Sequence, residues 1–253
     1  MNASESIGRL FLQRTCDEHL PPTPQSQGVP EPPLELPYPA DGHLIPLVPA
    51  GEIQFPAVDL RAIMEQRQTL RRYSEAALSL NELSALLWLT QGVKRVTPRP
   101  ITFRTVPSAG SRHPFETFLL VNRVEGLAPG LYRYLALEHA LLEVRRGEGL
   151  VEEITHACHD QSQVRNSAVT FLWLTDIERT TWRYPERGYR YAHLDAGHVC
   201  QNLYLAAEAL GCGACAIASY NDDLANQAVG AVGDQFVAYV ASVGKRAPVT
   251  PKA

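Results

Sequence analysis

From residue 57 onward the chain switches between two hydrophobic rhythms. VDLRAIMEQR repeats apolar positions at helical spacing, and SLNELSALLWLTQG does the same behind a Ser79/Glu82 pair at capping-box spacing, so both stretches predict helices. ETFLLVNRV and LYRYLALEHALLEV alternate or run apolar as paired strands do, with Pro129-Gly130 marking a turn. GLVEEITHACHD predicts a short helix and AVTFLWLTD a buried strand. The segment from Arg190 to Leu210 predicts a helix of about 20 residues, with Gly211 as its stop signal. ACAIASY then reads as a strand, NDDLANQAV as a short helix, and QFVAYVASVG as a last strand before Lys245 and Arg246.

The first 56 residues obey neither rhythm. Prolines recur from PPTP through EPPLELPYP to FPAV, which disfavours helices and central strands and predicts an extended arm over the surface. Tyr38, Leu44, Ile45 and Leu47 are its expected anchors. The organisation is thus an arm, 1–56, and one domain, 57–253, without internal repeats.

Composition removes several functional classes. The chain has 253 residues, 45% hydrophobic and 20% charged, with net charge −4; nucleic-acid-binding domains usually carry a basic excess. No apolar run reaches the roughly 18 residues of a membrane span. MNASESIGRLFLQRT lacks the basic start and apolar centre of a secretory signal, so a cytoplasmic location is expected. Five cysteines in no regular pattern argue against a disulfide framework.

Against that balance, RQTLRRYSEA places Arg67, Arg71 and Arg72 close together. If this segment is extended, Arg67, Thr69 and Arg71 share a face, a set suited to phosphate because guanidinium forks bind its oxygens bidentately. If the preceding helix continues, Arg67 and Arg71 lie one turn apart on a solvated face. Three other stretches bear on the choice: VPSAGSRHPFE, where Gly110 permits close backbone approach; LGCGACAI, with two glycines leading into a strand; and the cations of GKR.

In order, R-x-T-x-R, the LLW helix, PSAG-x-x-HP-x-E, GH-x-x-QNL-x-LAA-x-x-LG-x-G and VG-x-R resemble the nitroreductase superfamily. They are most similar to its SagB-type branch, which includes dehydrogenases that oxidise azolines in ribosomal peptide natural products. The match runs from about residue 57 to 246. The resemblance implies an α+β fold with a central mixed or antiparallel sheet flanked by helices, and an intertwined homodimer with FMN at each subunit interface. It implies that Arg67, Thr69 and Arg71 bind the FMN phosphate, with Lys245 or Arg246 closing on it. Pro107, Ser108, Ala109 and Gly110 would line the flavin, with Gly211, Cys212 and Gly213 on its other side. No GxGxxG follows a strand to suggest a dinucleotide fold instead.

The Lys-Tyr pair tied to proton abstraction in azoline-oxidising relatives reads Arg183-Tyr184 here. Arginine stays protonated and is no general base; Tyr184 remains as a candidate acid or base. Cys212 and Cys215 have CxxC spacing without redox or zinc context, and no metal site is expected. His193, Asp195 and His198 resemble a metal triad, but histidines five apart on a helix point about 140° from each other. His156, Cys158 and His159 read as surface or core residues.

The resemblance implies a tailoring dehydrogenase passing hydride from a peptide-derived heterocycle to flavin N5, with biosynthetic partner proteins. The alternatives are an NAD(P)H-dependent nitro or quinone reductase and a flavin-less scaffold subunit.

Overall fold

The structure is a computed structural model and describes residues 6–247. The N-terminal arm holds helix α1 (Ile7–Arg14), ahead of its prolines, and strand β1 (Leu44–Pro46). Helices α2 (Leu60–Gln66) and α3 (Leu80–Gln91) follow, then a hairpin of β2 (Val93–Val96) and β3 (Thr102–Arg104). Next come β4 (Phe115–Val121), β5 (Gly130–Leu135), β6 (Ala140–Arg145), α4 (Leu150–Ala157), α5 (Ser162–Asn166) and β7 (Val169–Thr175). The chain closes with α6 (Glu178–Thr181), α7 (Gly188–Ala209), β8 (Cys212–Ile217), α8 (Asp222–Val229) and β9 (Phe236–Lys245).

Seven strands form one sheet in the order β1-β6-β5-β4-β7-β9-β8, and every neighbouring pair is antiparallel. The expected α+β class holds, with the sheet antiparallel rather than mixed. Helices cover both faces, so β4 and β7 are buried throughout and read as continuous apolar runs rather than alternations. One face packs Leu83, Leu86 and Leu87 of α3 against Val199 and Leu203 of α7. The other packs Ile154 of α4 and Ala225 of α8 over Leu172 and Val240. Among the described residues no helix is long and apolar enough to cross a membrane.

The predicted helices are present where local chemistry fixed their ends. Ser79 and Glu82 make both bonds of the capping box on α3, and Gly211, at φ 66°, follows the end of α7. LYRYLALEHALLEV folds as a hairpin, β5 and β6, turning at His139 with φ 50°.

The arm is more than a covering. β1 pairs with β6 at the sheet's edge; Leu47 is buried and Ile45 packs on the core, while Leu44 faces out. Tyr38 lies 6.0 Å from the Arg133 guanidinium. Buried arginines reach out to hold the arm: Arg112 pairs with Glu31, and Arg133 donates to the Leu36 carbonyl at 3.0 Å. The Leu36 amide in turn donates to Glu116 at 2.8 Å, and Glu116 is ion-paired to the fully buried Arg179. Burial and the nearby Glu116 charge push Glu35, another arm acid, up to about 7. The Trp182 indole donates to Val29 O at 2.8 Å, so this tryptophan fastens the arm.

Candidate functional site

The residues singled out in the sequence gather into two clusters. The first begins where α2 stops. Arg67 leaves the helix with φ −51° and ψ 123°, Thr69 bridges in parallel to Ala214, and the Leu70 amide donates to Ala214 O at 2.9 Å. Residues 67–71 are therefore extended along the open edge of β8, and Arg67, Thr69 and Arg71 lie on one side of it. Leu70 turns inward onto Gly213, where an added Cβ would come within 2.2 Å of Leu70 Cδ1; only glycine admits this approach.

Tyr204 of α7 underlies the segment. Its ring lies 5.3 Å from the Arg67 guanidinium, and its Oη lies 3.1 Å from Thr69 Oγ1. The same Oη accepts the Ala216 N–H at 2.8 Å, standing in for a strand partner at the sheet's edge. Among the described residues no ion pair joins Arg67, Arg71 or Arg72 to a carboxylate. The cations expected to close on the same anion are placed differently. Lys245 pairs with Glu82, and Arg246 pairs with Glu208 and donates to Cys212 O at 3.0 Å. Gly211 has open space around it, whereas Cys212 turns its side chain into the core, and burial pushes its thiol up to about 11.

The second cluster surrounds the turn at 107–110. Pro107 is exposed at its start. Ser108 Oγ donates to Asp195 Oδ2 at 2.6 Å and accepts the His113 amide at 2.9 Å, and the Ala109 amide donates to the same carboxylate at 3.2 Å. Burial raises the Asp195 pKa, against the pull of these donors. Gly110 has φ 58°, and a Cβ there would lie 2.6 Å from Tyr184 Oη and 3.2 Å from Arg183 Cδ. Arg183 and Tyr184 thus sit directly over the turn, with the Tyr184 ring edge-on to Tyr191 at 5.0 Å.

The two clusters do not face each other. Both use α7, but Asp195 and Tyr204 are about 14 Å apart along its axis and about 180° apart around it. An apolar groove of about 240 Å³ lies between α2 and α7, lined by Leu60, Ile63, Leu205 and Ala206.

The model of the nitroreductase family matches residues 64–245, from the end of α2 to the end of β9. The chain belongs to the nitroreductase family. It is 33% identical over 175 residues to MJ1384 of Methanocaldococcus jannaschii, which carries a nitroreductase name, covering 68% of this chain and 86% of that one. It is 31% identical to the trifolitoxin-processing protein TfxB of Rhizobium leguminosarum bv. trifolii, over 43% of this chain and 30% of TfxB. It is 29% identical to the microcin B17-processing protein McbC of Escherichia coli, over 43% of this chain and 41% of McbC. These two matches span less than half of either processing protein.

Among solved structures, one from Anabaena variabilis with a nitroreductase name superimposes with a TM-score of 0.66 at 26% identity, covering 82% of this chain and 42% of that one. A chain of the E. coli microcin synthetase McbBCD complex with truncated pro-MccB17 superimposes with a TM-score of 0.59 at 21% identity, covering 81% and 78%. That likeness is one of fold.

Several residues in this family member resolve simply. Cys212 and Cys215, three apart on β8, point to opposite faces of the sheet and enter different cores. His193 bonds the Tyr189 carbonyl at 2.7 Å, and Asp195, its neighbour in HLDAGH, is engaged with Ser108. His156 lies on the surface beside Asp160. Arg187 and Arg190 hold α1 by the carbonyl oxygens of Thr15 and Leu12. Two functional candidates, Tyr204 and Asp195 as a turn-holder, were not legible in sequence, since each acts across more than 80 residues.

Proposed function

We propose that this protein is an FMN-dependent oxidoreductase of the SagB type, a cytoplasmic tailoring dehydrogenase acting on a peptide or peptide-derived heterocycle. The observation that carries this reading is the unspent positive charge at Arg67 and Arg71. Two guanidiniums flank a hydroxyl on a strand fixed by backbone bonds, while the neighbouring cations Lys245 and Arg246 already have carboxylates. A phosphate monoester fits such donors, two oxygens to each guanidinium fork. Bound FMN would supply the two-electron redox chemistry.

In this reading Arg67, Thr69 and Arg71 hold the phosphate, and Gly211–Gly213 leave room beside it. Ser108–Gly110 meet the flavin ring, with Tyr184 over Gly110 handling the substrate proton and Arg183 keeping that corner cationic. Because the two clusters lie on opposite sides of α7, the reading includes a homodimer in which the strand of one copy and the turn of another share each flavin. Exposed Val58, Leu60 and Met64 beside the α2–α7 groove support such a contact. The domain at 57–253 is the flavin-binding unit, with arm 1–56 strapped to it. The names of TfxB and McbC and the peptide-bound synthetase complex support a peptide substrate and biosynthetic partner proteins.

A second reading, an NAD(P)H-dependent nitro or quinone reductase, draws support from MJ1384, the more fully aligned relative. Purified protein reconstituted with FMN separates the two. Anaerobic bleaching of the flavin spectrum by an azoline peptide and not by NADPH is the result expected; the reverse establishes the reductase. Failure to take up FMN ends both and leaves a scaffold subunit.

A further inference from the structure

The reading of residues 67–71 as a phosphate cradle leaves open how a threonine hydroxyl is made to serve as a donor. A hydroxyl can donate or accept, and only donation helps an anion. Thr69 is exposed, and its single side-chain hydrogen bond among the described residues is to Tyr204 Oη at 3.1 Å.

The proton arrangement follows from counting donors. Tyr204 Oη accepts the Ala216 N–H at 2.8 Å, an amide at the sheet's edge with no strand to receive it. The phenol has one proton, and among the described residues Thr69 Oγ1 is its one acceptor. With that proton given to Thr69, the threonine accepts, and its own proton is free for an incoming oxygen. The same ring lies 5.3 Å from the Arg67 guanidinium, limiting where that cation can go.

We propose that Tyr204 is the positioning residue of the cradle, setting Thr69 as a hydrogen-bond donor to a phosphate monoester and so conferring preference for FMN over unphosphorylated flavin. The inference rests on the FMN reading, yet it can fail independently. Tyr204→Phe keeps the ring beside Arg67 and removes the oxygen from both Thr69 and the Ala216 amide, so its effect in the Thr69→Val background is what separates the proton-directing role from the loss at Ala216.

The test is a set of fluorescence-quenching titrations with FMN and with riboflavin on the full chain, wild type, Tyr204→Phe, Thr69→Val and the double variant. Tyr204→Phe is expected to weaken FMN binding about two- to five-fold and to leave riboflavin unchanged, because Thr69 keeps its proton but loses the bond that orients it, whereas Thr69→Val loses the charge-assisted bond itself and is expected to weaken FMN binding more. In the Thr69→Val background it is expected to change FMN binding less than about two-fold, because the group it acts through is gone. An unchanged FMN-to-riboflavin ratio in Tyr204→Phe, or its full effect in the Thr69→Val background, overturns the role. Should Tyr204→Phe not fold, Tyr204→Gln keeps an acceptor for Ala216 and a donor for Thr69. It is expected to retain the preference, and its losing as much as Thr69→Val overturns the inference. A wild-type protein without any preference for FMN sinks the phosphate reading itself.

Discussion

The strand at 67–71 and the turn at 107–110 are both fixed by backbone contacts to neighbouring elements, but they differ in how their polar groups are satisfied. At the turn, Asp195 takes the Ser108 hydroxyl and the Ala109 amide, and Tyr184 closes over Gly110. Along the strand, the backbone is paired with β8, while among the described residues no carboxylate is ion-paired to Arg67 or Arg71. A chain that supplies Glu82 to Lys245 and Glu208 to Arg246 a short way off has acids to spare for ion pairing. The contrast is between a paired backbone that carries unneutralised charge and one whose polar groups are met from within the chain, and the FMN reading gives the external anion to the first.

Removing the charge breaks the contrast most severely. The Arg67→Ala, Arg71→Ala double variant should bind FMN about 100-fold more weakly, since hydrogen bonds to charged groups contribute roughly 1.5–3 kcal/mol each. Riboflavin affinity should change little, and parallel titrations with both flavins check it; an equal loss for both would mean that the arginines merely shape the strand.

At the turn the expected effects are on stability. Gly110→Ala places a Cβ in a left-handed backbone position and against Tyr184 Oη, and should cost about 2 kcal/mol in chemical denaturation. Adding Tyr184→Phe should recover part of that loss, because the contacting oxygen goes. Asp195→Asn should cost about 1 kcal/mol, as its amide nitrogen cannot accept from Ser108 or Ala109.

The smallest effect is the pH dependence of that last difference. Burial raises the Asp195 pKa above 3.8, so the folded protein holds this proton more tightly than the unfolded chain does. The resulting stabilisation is complete below the unfolded value and is lost as pH rises through the raised native one. Wild-type stability relative to Asp195→Asn should therefore fall across that window, followed by denaturation midpoints at a series of pH values.

What the sequence disclosed and what it hid follow from the range of the forces involved. Ser79 and Glu82 announced α3 because a cap is made within one turn, and the long apolar period of α7 fixed its extent. Whether residues 67–71 were helical or extended was open locally, and Ala214 on a distant strand decided it. Helix α1 went unread because IGRLFLQR is short and buries nothing. Asp195 drew notice for its histidine neighbours, yet its partners are Ser108 and Ala109, and no spacing rule spans such a distance. The buried Arg179–Glu116 pair was equally invisible.

The pairing of β1 with β6 bears on how this protein can be cut. A fragment starting at residue 57 would contain everything the family model matches, yet it would bare the flank of β6 as an unprotected template for aggregation. It would also strand Arg112 without its acid and the Arg133 side chain without the Leu36 carbonyl, inside a sheet that offers them little water. A stable fragment therefore has to be longer than the region the family model matches, and its extra length begins ahead of Glu31.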